Sequence, residues 1–176
     1  MNQTEMIKSM KEDALSLQWK QLEHDKFYHA DVMALSTAGK LRHMTLHFAK
    51  YYGSLLTTLN EPEQYNKILV DSFIICLASA NILNISLSQE LSDLDTKHFM
   101  FDYATTVGRL AKSYESIDHL EAYDFRNNFK KDIVNMFFIV IKELAEKNIN
   151  IKEAYRKRMS EIESKNIFYG FNILSK

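Results

Sequence analysis

A chain of 176 residues with four glycines and one proline has few places to turn. A sandwich or barrel needs a turn about every ten residues, and those turns draw on glycine and proline to set their backbone. This chain must instead bury its apolar residues in helices, with 46% hydrophobic and 12% aromatic side chains to fill a core. Lys+Arg 22 against Asp+Glu 23 leaves a formal net charge of -1, so neither nucleic acid nor an anionic membrane is an expected partner. The single cysteine, Cys76, lies in the apolar run Phe73-Ile74-Ile75-Cys76-Leu77. It excludes an intrachain disulfide and a Cys-x2-Cys zinc site, and reads as a small buried hydrophobe. The amino terminus lacks the uninterrupted apolar core of a secretory signal. The longest apolar candidate, 68–83, is broken by Asp71 and Asn81 and falls short of the roughly 18 apolar residues of a membrane span. A soluble, cytoplasmic protein is the expectation.

Capping residues and apolar period locate the helices. Asn60-Glu61-Pro62-Glu63 combines a capping Asn, a first-turn Pro and a Glu that can reach back, predicting a helix over about 61–82. Leu41, Met44, Phe48, Tyr52, Leu55 and Leu59 recur at three- and four-residue steps and predict a helix over about 37–59. Phe129, Ile133, Met136, Phe137, Val140, Ile141 and Leu144 repeat that period after Asp124, predicting 125–147. Further helices are expected over 4–24, 93–116 and 151–165.

An internal repeat organises these elements. At an offset of 64, Val70 meets Val134, Phe73 meets Phe137, Ile75 meets Ile139, and Asn84-Ile85 meets Asn148-Ile149. Ser86-Leu87-Ser88-Gln89 and Asn150-Ile151-Lys152-Glu153 both read as capping boxes that open another helix. Upstream, Ala49 to Leu55 falls on Ala104 to Leu110 at an offset of 55, with Gly53 on Gly108, so the second half carries nine extra residues. An N-terminal helical segment (1–35) and two halves (36–92 and 93–176) then pack as one all-α bundle around Phe48, Tyr52, Phe73, Leu77, Phe137, Val140 and Ile141.

Each half resembles a MazG-like module of the all-α nucleoside triphosphate pyrophosphohydrolases. In that family one helix carries Glu-Glu-x-x-Glu around a Val-Gly-Glu-Leu core and the next carries Glu-x-x-Asp. Thr105-Thr106-Val107-Gly108-Arg109-Leu110-Ala111 resembles the first motif in frame, and Lys50-Tyr51-Tyr52-Gly53-Ser54-Leu55 is a fainter likeness. The second motif falls on Ile68-x-x-Asp71 and on Asp132-x-x-Asn135. The resemblance covers about 41–90 and 99–165 and leaves the first 35 residues outside it.

What the resemblance implies is metal chemistry, in which carboxylates hold Mg²⁺ for hydrolysis between the α and β phosphates. The metal positions read Lys50, Tyr51, Ser54, Ile68 and Asp71 in one half and Thr105, Thr106, Arg109, Asp132 and Asn135 in the other. One carboxylate per half is too few for hard divalent ions that want several oxygens each. Each half has instead gained a base, Lys50 or Arg109. An Asp71 contact with Lys50 or His47 is expected, because an unpaired carboxylate in so apolar a run is costly, and Arg109 is expected on Asp132.

The resulting reading is a nucleotide-binding or sensing pseudoenzyme, its ligand site drawn from His43, His47, Lys50, Asp71, Arg109, Asp132 and Asn135. The ligand is expected to be a nucleotide or other phosphate-bearing small molecule, held by basic side chains with no cofactor. Two alternatives accompany it: an active pyrophosphohydrolase with an atypical Mg²⁺ site, and a non-catalytic helical interaction module. A homodimer is expected.

Other clusters carry less. His43-x-x-x-His47 puts two imidazoles on one helix face, and with Asp71 they form an alternative zinc set. No metal is expected on the main reading, in which the two histidines belong to a polar stripe. Glu115, Asp118 and His119 read as a solvated connection. His24, His29 and His98 share no ligand spacing and read as structural. Lys152, Arg156, Lys157 and Arg158 alternate with Glu153, Glu161 and Glu163, the pattern of a solvated face. The apolar tail Ile167 to Leu174 is expected to dock on the bundle or on a neighbouring subunit.

Overall fold

The computed structural model describes residues 2–90, 96 and 98–165. Seven helices and no strand occur among them: α1 Gln3–Tyr28, α2 Ala30–Met33, α3 Thr37–Thr57, α4 Pro62–Leu83, α5 Phe99–Asp118, α6 Phe125–Glu146 and α7 Ile151–Glu163. The all-α class expected from the scarcity of glycine and proline is the class observed. The apolar tail beyond 165 lies outside the described residues, as does the start at 93 expected for α5.

α4 is the organising element. Every residue from Ile68 to Ala80 is buried, so this stretch of the helix has no solvent face and its sequence shows no amphipathic stripe. α1, α3, α6 and α7 enclose it. By length and apolar composition alone α4 would cross a membrane, but most of that apolar window is covered by the neighbouring helices. α3 pairs with α4, α5 pairs with α6, and the two hairpins meet through α4 against α6 and α3 against α5. Rings line that seam: Phe73 and Phe137 lie with centroids 6.0 Å apart, Phe48 and Tyr103 at 6.3 Å, and Tyr52 stacks on Tyr103 at 6.1 Å. Of the expected core residues all are buried except Tyr52, which is partly buried.

α4 and α6 end alike. Asn84 and Asn148 take left-handed backbone angles (φ 55° and 54°), which asparagine tolerates better than most residues. Ile85 N–H donates to Ala80 C=O and Ile149 N–H to Leu144 C=O, both at 3.0 Å, so carbonyls left open at the helix end find donors in the same way.

Two expected caps differ. Glu61 N–H donates to Thr58 C=O at 2.8 Å, a tight turn that places Asn60 inside the loop and makes Glu61 the residue before Pro62. Ser86 to Gln89 opens no helix but forms a turn, with Gln89 N–H on Ser86 C=O at 3.0 Å. Leu87 is fully buried there and its N–H donates to Gln18 Oε1 at 3.0 Å. By contrast, the side chains of Asp124 and Asn150 do cap α6 and α7.

α1 docks by a buried stripe of Met6, Met10, Ala14 and Leu17 that continues in step through Gln18, Gln21 and His24. Gln18 and Asn81 clasp each other there: Gln18 Nε2 donates to Asn81 Oδ1 (3.2 Å) and Ile85 C=O (2.9 Å), and Asn81 Nδ2 donates to Gln18 C=O (2.9 Å). A buried stripe that turns polar at its C-terminal end marks where α1 stops covering core and starts lining a cavity.

Candidate functional site

That cavity has a volume of about 330 Å³ and lies between α1, the α1–α2 joint, α3, α4 and α7. Met44, Ile74, Ile75, Ala78, Ile82 and Met159 supply apolar wall, while Gln21, His24, Asp25, His29, Lys40, His43, His47, Tyr51, Asp71 and Arg158 supply polar groups.

On α4, Asp71 is buried and both its oxygens are taken by one guanidinium: Arg158 Nε donates to Oδ1 at 2.5 Å and Nη2 to Oδ2 at 2.9 Å. The expected partner was Lys50 or His47, so this is a correction. Its reason lies in α7, where Ile151, Tyr155, Arg158 and Ile162 follow a helical period and put Arg158 in the stripe that packs on α4 rather than on a solvated face. Arg158 Nη1 also donates to Glu161 at 3.2 Å, and these carboxylates hold the Arg158 pKa above its ordinary value. Burial, reinforced by the Asp71 charge, raises the Tyr51 pKa, keeping its hydroxyl protonated.

On α3, Lys50 is exposed and leans over the Tyr51 ring, 4.4 Å from its centroid, with Nζ 3.2 Å from His47 Nδ1. An ammonium can only donate, so Nδ1 of His47 accepts and its Nε2–H donates to His43 Nε2 at 3.0 Å. Burial first, then the Lys50 charge and the neighbouring His43 and His29, push the His47 pKa down to about 4. His47 is therefore neutral at pH 7. With both oxygens of Asp71 held by Arg158, the alternative zinc set of His43, His47 and Asp71 has no free carboxylate.

The remaining expected residues stand elsewhere. Arg109 on α5 donates from Nε to Asp132 Oδ1 on α6 at 2.7 Å, the expected pair, and from Nη2 to Thr106 Oγ1 at 2.8 Å. Burial raises the Asp132 pKa, and Arg109 works against that rise. Asn135 is buried one turn further along α6. Of the seven expected site residues, His43, His47 and Asp71 line the cavity, whereas Lys50, Arg109, Asp132 and Asn135 do not.

α1 contributes groups that the sequence reading set aside. His24 is buried, its Nδ1–H donating to Glu163 at 3.1 Å and its ring stacked on Tyr28 at 4.7 Å. Burial lowers the His24 pKa, partly offset by Glu163. Asp25 Oδ1 accepts from Gln21 Nε2 at 2.8 Å, and Gln21 Oε1 in turn accepts from Tyr155 at 3.1 Å. Burial raises the Asp25 pKa to about 6. His29 follows directly where α1 ends, its ring edge-on to His24 with centroids 5.3 Å apart. Lys40, in the first turns of α3, forms no ion pair among the described residues.

The fold and this cavity define an all-α helical bundle with a small, polar-rimmed pocket. Comparison with protein-family models, with curated proteins and with solved structures finds no match for the chain.

Proposed function

We propose that this protein is a binding or sensing protein for a nucleotide-class ligand, a small molecule with a flat, partly apolar ring and a phosphate, taken up in the α1–α3–α4–α7 cavity. The observation that carries the reading is the division of the cavity wall. Ile74, Ile75, Ala78 and Ile82 of α4 form an apolar floor, and Lys40, His29 and His43 supply cationic or hydrogen-bonding groups at the same space. Its volume suits a mononucleotide-sized molecule better than a dinucleotide, since ligand pockets begin at about 300 Å³. Lys40 is the cation left for phosphate, because Arg158 is committed to Asp71 and Glu161.

The doubled MazG-like ancestry belongs to this proposal. It is supported by the shared Asn-Ile helix ends and by the meeting of corresponding rings, Phe73 with Phe137 and Phe48 with Tyr103, as around a two-fold axis. On this reading Arg158 and Arg109 neutralise the carboxylates that relatives would use for Mg²⁺. A cytoplasmic location fits a nucleotide ligand and a buried, unpaired Cys76.

Thermal-shift measurement against nucleoside mono-, di- and triphosphates, with and without Mg²⁺, tests the proposal. A ligand at 100 times its Kd is expected to raise Tm by roughly 5–10 °C without Mg²⁺. Lys40→Ala should reduce that shift. No shift across the panel would sink the proposal and leave the helical interaction module. Mg²⁺-dependent release of pyrophosphate would establish the pyrophosphohydrolase instead.

A further inference from the structure

We propose that His24, Asp25 and His29 form a binding site for one divalent transition-metal ion of the zinc class, at the end of α1 where it borders the cavity. One donor atom from each residue lies within 4.8 Å of the other two. Two imidazoles and one carboxylate are the ligand set that suits zinc and its neighbours, whereas Mg²⁺ and Ca²⁺ select oxygen. Donors around a tetrahedral ion with bonds of about 2.0–2.1 Å stand roughly 3.3 Å apart. The trio must therefore contract modestly. His29 can supply that movement, being exposed and just past the last turn of its helix.

The surroundings distinguish this trio from a chance meeting of polar side chains. Metal-binding imidazoles characteristically donate their second N–H to a carboxylate, which fixes ring and tautomer. His24 does so: its Nδ1–H is held by Glu163, leaving Nε2 with its lone pair for the ion. Asp25 is held on one oxygen by Gln21, itself held by Tyr155, leaving the other oxygen for the ion. The negative end of the α1 dipole and its last carbonyls favour positive charge here. Three protein ligands leave one position of a tetrahedral ion for an exchangeable group, which all three residues would present to the cavity they line. The site stands apart from the Asp71 and Asp132 positions and does not depend on the nucleotide reading.

The test uses the full, tag-free chain stripped with a chelator and titrated with Co²⁺ alone, read by its visible absorption, and with Zn²⁺ by calorimetry. One ion per chain is expected. His29→Gln and Asp25→Asn should each weaken binding at least about tenfold, and Glu163→Gln by about 10–100-fold through loss of the imidazole's orientation. His119→Gln, outside the cavity, should leave it unchanged. His29 and Glu163 are not core residues, so their variants remain informative if His24→Ala fails to fold. Overturning results would be wild-type binding no tighter than that of His29→Gln, or binding lost in His43→Gln and retained in His29→Gln.

Discussion

Two interhelical ion pairs, Asp71–Arg158 and Arg109–Asp132, differ in ways that decide their importance. Asp71–Arg158 joins α4 to α7 through two parallel hydrogen bonds, with side-chain exposures of 10% and 17%. Arg109–Asp132 joins α5 to α6 through one, and its arginine is 44% exposed. A bidentate guanidinium shielded from water holds geometry strongly, whereas a half-exposed one keeps much of its hydration and gains little. The cavity walls differ in parallel. Positions 75, 78 and 82 on α4 are Ile, Ala and Ile, while positions 64 further on, 139, 142 and 146 on α6, are Ile, Lys and Glu. Those α6 residues border a more open hollow of about 280 Å³ that also contains Glu143 and His98. An apolar floor closed by α1 and α7 lines the cavity beside α4, whereas a charged floor lines the hollow beside α6.

The largest effect should come from unpairing the buried member. Asp71→Ala leaves Arg158 without its bidentate partner and should destabilise by about 3–5 kcal/mol. For a chain of this size that is a Tm fall of roughly 6–20 °C by calorimetry. A fall no greater than that of Arg109→Ala would erase the distinction between the pairs. The double variant Asp71→Leu with Arg158→Met removes both charges together and should recover most of the lost stability, because well-packed apolar side chains often replace a buried pair at no net loss. Failure to recover would mean that the pair also positions α7.

A third measurement probes the cavity side of the comparison through pH. His47 has a folded pKa of about 4 against an ordinary 6.5, so the fold prefers the neutral imidazole. The stability this gives is present in full above pH 6.5 and is lost as pH falls toward 4. Lys50, His43 and His29 face His47 with positive or protonatable groups, and Asp71, the acid on the same cavity wall, is already neutralised by Arg158. His47→Gln should therefore flatten the fall in Tm between pH 7 and pH 5, and an unchanged slope would refute the assignment. A smaller effect is expected for Arg109→Ala, at about 1–3 kcal/mol, because Asp132 is buried and loses a donor while the arginine itself is half-exposed. A larger loss would promote that pair to the rank of its buried counterpart.

Much of the fold was legible because its signals are local. The apolar period of α3 and α6, the Pro62 start of α4 and the Asp124 cap each depend on residues within a few positions. Asn60 and Ser86 misled because a cap residue and a turn residue have the same chemistry, and only the path of the chain separates them. The site was half legible. His43 and His47 share a helix face by spacing alone, but His24 and His29 are five apart, which on a continuous helix points them to different faces. They meet only because α1 ends at Tyr28. Arg158 carried a readable signal, its place in the stripe of Ile151, Tyr155 and Ile162, which the surrounding charges obscured.

Taken alone, then, the amino-acid order determined an all-α chain with one strongly apolar helix around Asp71, since helix formation and apolar runs are written in short-range spacing. Tertiary packing decided which base answers Asp71, from 87 residues away, and that histidines of α1 and α3 share one cavity with an apolar floor. Such meetings depend on how helices lie across one another, which no periodicity within a single helix encodes.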